Sequence, residues 1–340
     1  MMNWVQLLSD RRAGEQPALR GQLRSRFEQD YDRIIFSYPF RMLQDKTQVF
    51  PLPKQDFVHT RLTHSLEVAS VGRSLGKLAG GILIEKHPEI NDFGFTSYDF
   101  GVIVSAASLM HDLGNPPFGH AGESAISGYF QGSESSLRQH VSDKEWADLI
   151  NFEGNAQGFR LVNKRNFQGL KLTFATLGAF SKYPRESVIS NPEKWRKSQK
   201  KYGFYQSNKS FFNELADDTG LLRLNPDSGA CWCRHPLTFL VEAADDICYN
   251  IIDLEDGTNL GLVALEESKS LLAEIIGQEY QEEKLTKIES NRERISTLRA
   301  LAIRSLIQQC VDVFSANEGE LLRGTFDAAI TDKIPSAPPL

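Results

Sequence analysis

The sequence predicts an all-α protein. Through much of the 340-residue chain, apolar residues recur at the three- and four-residue spacing of amphipathic helices, whereas the alternating pattern of strands is scarce. The apolar runs are far shorter than the roughly 18 residues that a membrane-spanning helix needs. We therefore expect helices packed around an apolar core, without a membrane partner.

The first strong helical pattern begins near Arg61, where six apolar side chains are expected to line one face: Leu62, Leu66, Ala69, Leu75, Leu78 and Ile82. Further helical segments are predicted at residues 96–112, 121–130, 155–163, 236–254 and 262–314. The stretches "FQGSESS" and "SKYPRESVISNPEKW" are rich in turn-forming residues, which predicts loops. We expect a single helical domain over residues 1–315. Residues 316–340 are expected to form a tail, whose last residues, "KIPSAPPL", offer little to bury.

The composition narrows the class of protein. With 41% hydrophobic and 24% charged residues and a net charge of −6, the chain is unlike a general nucleic-acid coat or a membrane-surface protein, although a local basic pocket is compatible with these values. Cys231 and Cys233 are separated by one residue, unlike the Cys-x-x-Cys pairs of zinc ribbons. The four cysteines therefore predict ordinary structural thiols, and we expect a cytoplasmic protein.

The stretch "SLMHDLGNPPFGHAGE" has the most unusual distribution of polar groups. An apolar helical pattern ends in His111 and Asp112, breaks at two prolines, and resumes with His120 and Glu123 one helical turn apart. A lone histidine in such a pattern, like His64 in the preceding segment, is more often a satisfied core residue than a ligand. A cation between His111 and Asp112 requires further ligands from other helices, because adjacent helical residues point about 100° apart.

A second candidate lies in "VEAADDICYNIIDLED", where Asp245 and Asp246 interrupt an apolar helical pattern. Buried aspartates require an ion-pair partner or a metal. Asp245, Tyr249 and Asp253 follow one another at four-residue spacing and form one polar strip. This strip is compatible with a solvated face or with the wall of a pocket.

His64, the His111-Asp112 pair and a distant aspartate resemble the four-ligand signature of the HD superfamily of metal-dependent phosphohydrolases. Five longer blocks look like bacterial deoxyguanosine triphosphate triphosphohydrolases: "RIIFSYPFRMLQDKTQVFPL", "TRLTHSLEVASVGR", "LMHDLGNPPFGHAGE", "FEGNAQGFRLV" and "EAADDICY". The resemblance extends from about Trp4 to about Phe326. It implies an all-α HD-domain helical phosphohydrolase fold with a metal core within about residues 40–260.

The resemblance also implies roles for individual residues. The metal ligands would be His64, His111, Asp112 and Asp245, with Asp246 as the alternative to Asp245. The ion would be divalent manganese, magnesium, iron or cobalt. Catalysis would depend on His120 and its carboxylate partner Glu123. The deoxyribose would contact Gln48, Tyr249 and Asp253, and the triphosphate would contact Arg61, Lys182 and Tyr183.

The resemblance implies hydrolysis of a deoxynucleoside triphosphate, with dGTP favoured, to the nucleoside and intact triphosphate by a homo-oligomer. An HD phosphohydrolase for nucleoside monophosphates or an alarmone would use the same ligands. A weakly catalytic nucleotide or single-stranded nucleic-acid binder would use basic loops such as "KYPRES", but the intact ligand set argues against it. Such proteins generally extend further at the C-terminus, so we expect either a naturally short form or a truncated one.

Overall fold

The structure is a computed structural model that describes residues 1–15, 24–48, 58–164 and 169–334. Eleven helices of seven or more residues occur in these ranges: α1 Arg26–Ile35, α2 Arg61–Lys86, α3 Ser97–Met110, α4 His120–Gly132, α5 Asp143–Ile150, α6 Gly154–Val162, α7 Phe174–Phe180, α8 Lys209–Thr219, α9 Pro236–Asn259, α10 Leu265–Ile276 and α11 Asn291–Ala316. Shorter helices span Trp4–Leu7, Tyr38–Arg41, Glu89–Asp92, Glu134–Leu137, Glu282–Leu285 and Glu318–Arg323. The described ranges contain isolated β-bridges but no strand, so the all-α prediction is confirmed.

Two antiparallel helices, α2 and α3, form the centre of the fold. Helix α3 is buried along almost its whole length, and α1, α2, α7 and α9 pack around it. Helix α9 also contacts α2, and α11 covers both. One continuous apolar core thus contains side chains from Met2 to Ile334. This arrangement places the first turn of α2, the end of α3 and the middle of α9 next to one another.

The prediction of which α2 residues form its buried apolar face is partly wrong. Leu66 and Leu78 are 42% and 45% exposed, because α2 turns a face of small residues toward α3. The missing Cβ atoms of glycines 72, 76 and 80 allow close approach, and a Cβ on Gly76 would lie 2.6 Å from the Phe100 carbonyl oxygen. A pattern of large apolar residues cannot reveal a helix face that packs through glycine.

We expect Gly76→Ala to destabilise the protein strongly, because its new methyl group meets backbone that cannot move aside independently. Overpacking of this kind costs roughly 1–3 kcal/mol. Gly81 on the same helix has no heavy atom within 4 Å of a hypothetical Cβ, so Gly81→Ala is the matched control and is expected to stabilise the helix by about 0.5–1 kcal/mol. Urea denaturation measures both changes. Equal stabilities for the two variants would contradict the close packing of α2 against α3.

Other segments differ from the predictions in detail. The segment predicted at residues 262–314 is broken after α10 at Gly277, which has a φ of 62°. "FQGSESS" contains the end of α4 and a short helix, whereas "SKYPRESVISNPEKW" has no helix, as expected for a loop. Residues 318–334 contribute Leu321, Phe326 and Ile330 to the core, and the boundary at residue 315 stays a prediction. The residues "PSAPPL" at the end of the tail lie outside the described ranges.

The four cysteines are free and buried. Burial raises the pKa of the Cys231 and Cys233 thiols to about 12 and about 11, which keeps both protonated at neutral pH and disfavours metal binding. None of the helices in the described ranges is both long and apolar enough to cross a membrane.

Candidate metal centre and active-site cleft

Three helices bring together His64, His111 and Asp245. Helix α2 begins after the N-cap Thr60, which places His64 in its first turn. His111 is the first residue after α3, and Asp245 lies in the middle of α9. One ligand atom from each of the three side chains lies within 4.8 Å of the other two. The Asp245 Oδ1 atom is 3.1 Å from His64 Nε2 and 3.5 Å from His111 Nε2.

The hydrogen bonding and charge of these residues suit a cation. His111 Nδ1 donates a 2.7 Å hydrogen bond to the Ser108 carbonyl oxygen, which directs Nε2 at Asp245. Burial opposes ionisation of Asp245, but His111 and His64 outweigh burial and hold the pKa of this carboxyl well below its usual range. Two imidazole nitrogens and an ionised carboxylate are ligands that divalent transition metals prefer. The residues therefore fit the predicted metal.

Asp112, the fourth predicted ligand, lies beside this group and has other partners. Its Oδ2 atom accepts a 2.5 Å hydrogen bond from Arg61 Nη1 and is 3.7 Å from His111 Nε2. Its Oδ1 atom accepts a 2.5 Å hydrogen bond from Asn115 Nδ2. The carboxylate is thus adjacent to the candidate metal position and is also fixed by Arg61.

Asp246, the alternative to Asp245, has a different environment. Its Oδ2 atom accepts a 2.6 Å hydrogen bond from the Thr331 hydroxyl, and burial raises the pKa of Asp246 to about 6. Only Asp245 of this adjacent pair joins the His64 and His111 group within the described ranges. The geometry therefore favours Asp245 as the ligand.

A cleft of about 390 Å³ opens directly beside the candidate metal position. Four cationic side chains line it: Arg61, Lys182, Lys200 and Lys201. His111, Asp112, Asp245 and Tyr183 also line it, together with His120 and Glu123. A polar cleft with several cations next to a metal-binding group suits a polyanionic ligand.

The turn "GNPPFG" presents His120 to this cleft. Phe118 and Gly119 both have left-handed backbone conformations, with φ values of 64° and 53°, and α4 then begins at His120. Lys201 Nζ is 3.4 Å from His120 Nε2. The predicted contact between His120 and Glu123 is replaced by other contacts, because Glu123 Oε1 accepts a 2.8 Å hydrogen bond from the Gly154 backbone and Oε2 lies 3.9 Å from Lys201 Nζ. Glu123 therefore pairs with Lys201 and accepts a hydrogen bond from the backbone at the start of α6.

The predicted sugar-binding residues do not line the described part of the cleft. Tyr249 is 51% exposed, so it is not a core residue. Burial raises the pKa of Asp253 to about 6, and Asp253 lies two helical turns beyond Asp245 on α9. Gln48 Oε1 is buried and has no hydrogen-bond partner in the described ranges. A buried acceptor of this kind is suited to a hydroxyl group of a ligand.

The sequence interpretation missed several polar lining residues, among them Asn155, Lys200, Lys201 and Glu242. Asn155 lies in the block "FEGNAQGFRLV" and Glu242 in "EAADDICY", so the resemblance located their segments without assigning them roles. Lys200 and Lys201 belong to a basic loop of many lysines, where charge alone could not indicate which residues face a site. Lys201 Nζ lies 3.3 Å from Glu153, which fixes it at the cleft.

An all-α fold with paired histidines and aspartates at the junction of three helices defines a metal-binding hydrolase of the HD class, and the HD domain family matches residues 61–150. Three relatives share the name deoxyguanosinetriphosphate triphosphohydrolase-like protein. The Synechocystis protein is 46% identical and matches 97% of this chain and 76% of its own length. The Pseudomonas aeruginosa protein is 43% identical and matches 95% of this chain and 73% of its own length. The Listeria monocytogenes protein is 37% identical and matches 97% of this chain and 74% of its own length. The chain belongs to the deoxyguanosinetriphosphate triphosphohydrolase family of HD-domain proteins.

Proposed function

We propose that the protein hydrolyses deoxynucleoside triphosphates, with dGTP as the favoured substrate, to the deoxynucleoside and inorganic triphosphate. Water would attack the α-phosphorus, the bond from that phosphorus to the 5′-oxygen would break, and the 5′-oxygen would receive a proton. The observation that carries the proposal is the position of the His64, His111 and Asp245 group at the edge of a cleft lined by four cationic side chains. Family membership agrees with a dNTP triphosphohydrolase.

The ion would be held by His64, His111 and Asp245, with Asp112 adjacent. When bound, a divalent ion at this position supplies a Lewis acid next to the scissile phosphate. Neutral imidazoles and an ionised Asp245 are needed for binding. Both histidines favour the ionised form of Asp245, and the contact of His111 Nδ1 with Ser108 directs Nε2 at the site. Asp245 also raises the pKa of His64, so metal binding would displace a proton from this group.

The cationic side chains would bind the triphosphate. Arg61 is held in place by Asp112 at one side of the cleft, and Lys201 is held by Glu123 and Glu153 at another. Lys182 is held by Glu242. Fixed cations of this kind would neutralise the negative charge of the triphosphate while water attacks its α-phosphorus, without rearranging during the reaction.

His120 would donate the proton that the 5′-oxygen requires. It lies at the cleft, on the first turn of α4, and its Nε2 atom is near the Lys201 ammonium. A phosphate oxygen competes for Lys201 when a triphosphate enters, which frees His120 Nε2 to carry and transfer a proton.

Release of inorganic tripolyphosphate from each of the four dNTPs tests the proposal. We expect release from dGTP in preference to the other three, together with the matching deoxynucleoside. Release of orthophosphate from a nucleoside monophosphate, or turnover of an alarmone without tripolyphosphate release, would instead support another HD phosphohydrolase activity. Binding of single-stranded nucleic acid without turnover of any nucleotide would contradict an enzymatic function.

Tyr249 is proposed to distinguish deoxyribose from ribose by packing against C2′, with Asp253 and Gln48 hydrogen-bonded to the 3′-hydroxyl. We expect Tyr249→Ala to reduce the ratio of kcat/KM for dGTP to that for GTP by about tenfold, because a steric contact of this size contributes roughly 1–3 kcal/mol. Tyr98 has the same 51% exposure but lies at the end of α3 opposite His111, so Tyr98→Ala is the matched control. An unchanged ratio in the Tyr249 variant would exclude a role in sugar selection.

A homo-oligomer, binding of single-stranded nucleic acid and a cytoplasmic location stay predictions from the sequence.

A further inference from the structure

The segment after α11 reaches the cleft through a buried network of charges. Arg234, just before α9, and Glu242, in its second turn, have side chains only 1% and 7% exposed, and Asp327 is 2% exposed. Arg234 Nη1 donates a 3.0 Å hydrogen bond to Glu242 Oε2, and its Nε atom lies 3.6 Å from Asp327 Oδ1. Buried ionised groups are retained only when each has a partner of opposite charge.

Arg234 holds Lys182 at two points. Its Nε atom donates a 2.9 Å hydrogen bond to the Lys182 backbone carbonyl, and Glu242, which Arg234 fixes, lies 3.2 Å from the Lys182 ammonium. Burial alone would lower the pKa of Lys182, but Glu242 outweighs burial and raises it. Both the backbone and the charged end of this cleft lysine therefore depend on Arg234.

The Oδ2 atom of Asp327 binds the loop that carries Lys200 and Lys201. Asp327 Oδ2 accepts hydrogen bonds from the Ser198 backbone N–H, at 3.1 Å, and from the Ser198 hydroxyl, at 2.8 Å. Ser198 lies two and three residues before Lys200 and Lys201, both of which line the cleft. A single buried carboxylate thus connects to two separate cationic segments of the same cleft.

We propose that Asp327 is a positioning residue that fixes the polyphosphate-binding lysines from two sides, through Arg234 and Glu242 to Lys182 and through Ser198 to Lys200 and Lys201. The inference rests on the proposed function in taking the ligand to be a polyphosphate. Asp327 is not among the residues that line the cleft, so it acts only through the lysines. Its loss should weaken polyphosphate binding without affecting the nucleoside part of the substrate.

The test compares the binding of inorganic tripolyphosphate and of deoxyguanosine to the full chain by calorimetry, with divalent metal in excess over tripolyphosphate. Asp327→Asn keeps an oxygen that can accept from Ser198 but removes the charge that faces Arg234. We expect it to weaken tripolyphosphate binding by about tenfold and to leave deoxyguanosine binding unchanged. The KM for dGTP should rise in proportion.

Asp332→Asn is the matched control, because Asp332 lies in the same segment and pairs with Lys197 at the surface. This variant is expected to bind both ligands like the wild type. A purely structural role for Asp327 predicts a lower Tm with both affinities unchanged, which would overturn the inference. Absence of tripolyphosphate binding to the wild type would also overturn it.

If Asp327→Asn does not fold, Ser198→Ala decides the question, since it removes only one hydrogen bond to Asp327. A weakening of tripolyphosphate binding by roughly threefold or more supports the inference, and wild-type affinity overturns it. Should the wild type bind tripolyphosphate but hydrolyse no dNTP, the proposed function fails, and these binding measurements still decide the role of Asp327.

Discussion

Asp245→Asn is expected to lose the bound metal and to reduce turnover of dGTP by roughly 10³-fold or more. The neutral amide removes the charge that His64 and His111 surround, and the carboxylate is the anionic member of the three-residue group. Elemental analysis of the purified protein measures metal content independently of activity. We expect close to one ion per wild-type chain and a stoichiometry near zero for the variant.

Asp246→Asn provides an internal control at the adjacent position. Its carboxylate bonds Thr331 rather than the histidines, so this variant is expected to retain the metal. Thermal unfolding gives a second readout, because a ligand at 100 times its Kd stabilises the folded state by about 2.7 kcal/mol. Added metal should therefore raise the Tm of the wild type and of Asp246→Asn, but not that of Asp245→Asn. The reverse result would make Asp246 the ligand.

The fold class was predictable because it depends on periodicity, which is a local property. The starts of α2 and α3 coincide with capping contacts, since the Thr60 hydroxyl accepts a hydrogen bond from the Thr63 backbone and the Asp99 carboxylate accepts one from the Thr96 backbone. The buried face of α2 was not predictable, because glycine contributes nothing to an apolar pattern and its packing depends on α3. The break between α10 and α11 was also missed, since the turn at Gly277 interrupts a continuous helical pattern.

The candidate site was predictable to the extent that chemistry is encoded in short motifs. His64, His111 and Asp245 are separated by long stretches of chain, yet each is conspicuous as a polar residue in an apolar helical pattern. The hydrogen-bond partners of the buried carboxylates near this site were harder to predict from the sequence. Nothing in the sequence links Asp327 to Ser198 or Thr331 to Asp246, because those pairs form only when residues 325–334 pack beside α9.

The predicted contact between His120 and Glu123 shows again that tertiary contacts are hard to predict from local spacing. Their spacing places both on one face of α4, from which a direct contact was expected. In the structure, the N-terminus of α6 approaches closely enough for Gly154 to donate to Glu123, and Lys201 lies between the two side chains. A tertiary contact therefore replaces the local one, and Lys201 rather than Glu123 is the immediate neighbour of His120.

His120→Ala is expected to retain the metal and to bind substrate with little change in KM, while kcat falls by roughly 10²- to 10⁴-fold, the range for removal of a general acid. His120 is outside the group formed by His64, His111 and Asp245, so its removal leaves the candidate metal position intact. The departing 5′-oxygen then leaves without a proton donor, which slows the chemical step specifically. Steady-state kinetics with dGTP and elemental analysis of the same preparation measure both effects.

His140→Ala is the matched control, since His140 is exposed and lies outside the cleft, and we expect wild-type kinetics for it. Added imidazole should partly restore kcat in His120→Ala, because a small base can occupy the space of the missing side chain and carry the proton. Restoration would separate loss of a proton donor from a general disturbance of α4. Wild-type turnover in His120→Ala would remove His120 from the mechanism, whereas loss of metal in this variant would place it among the ligands.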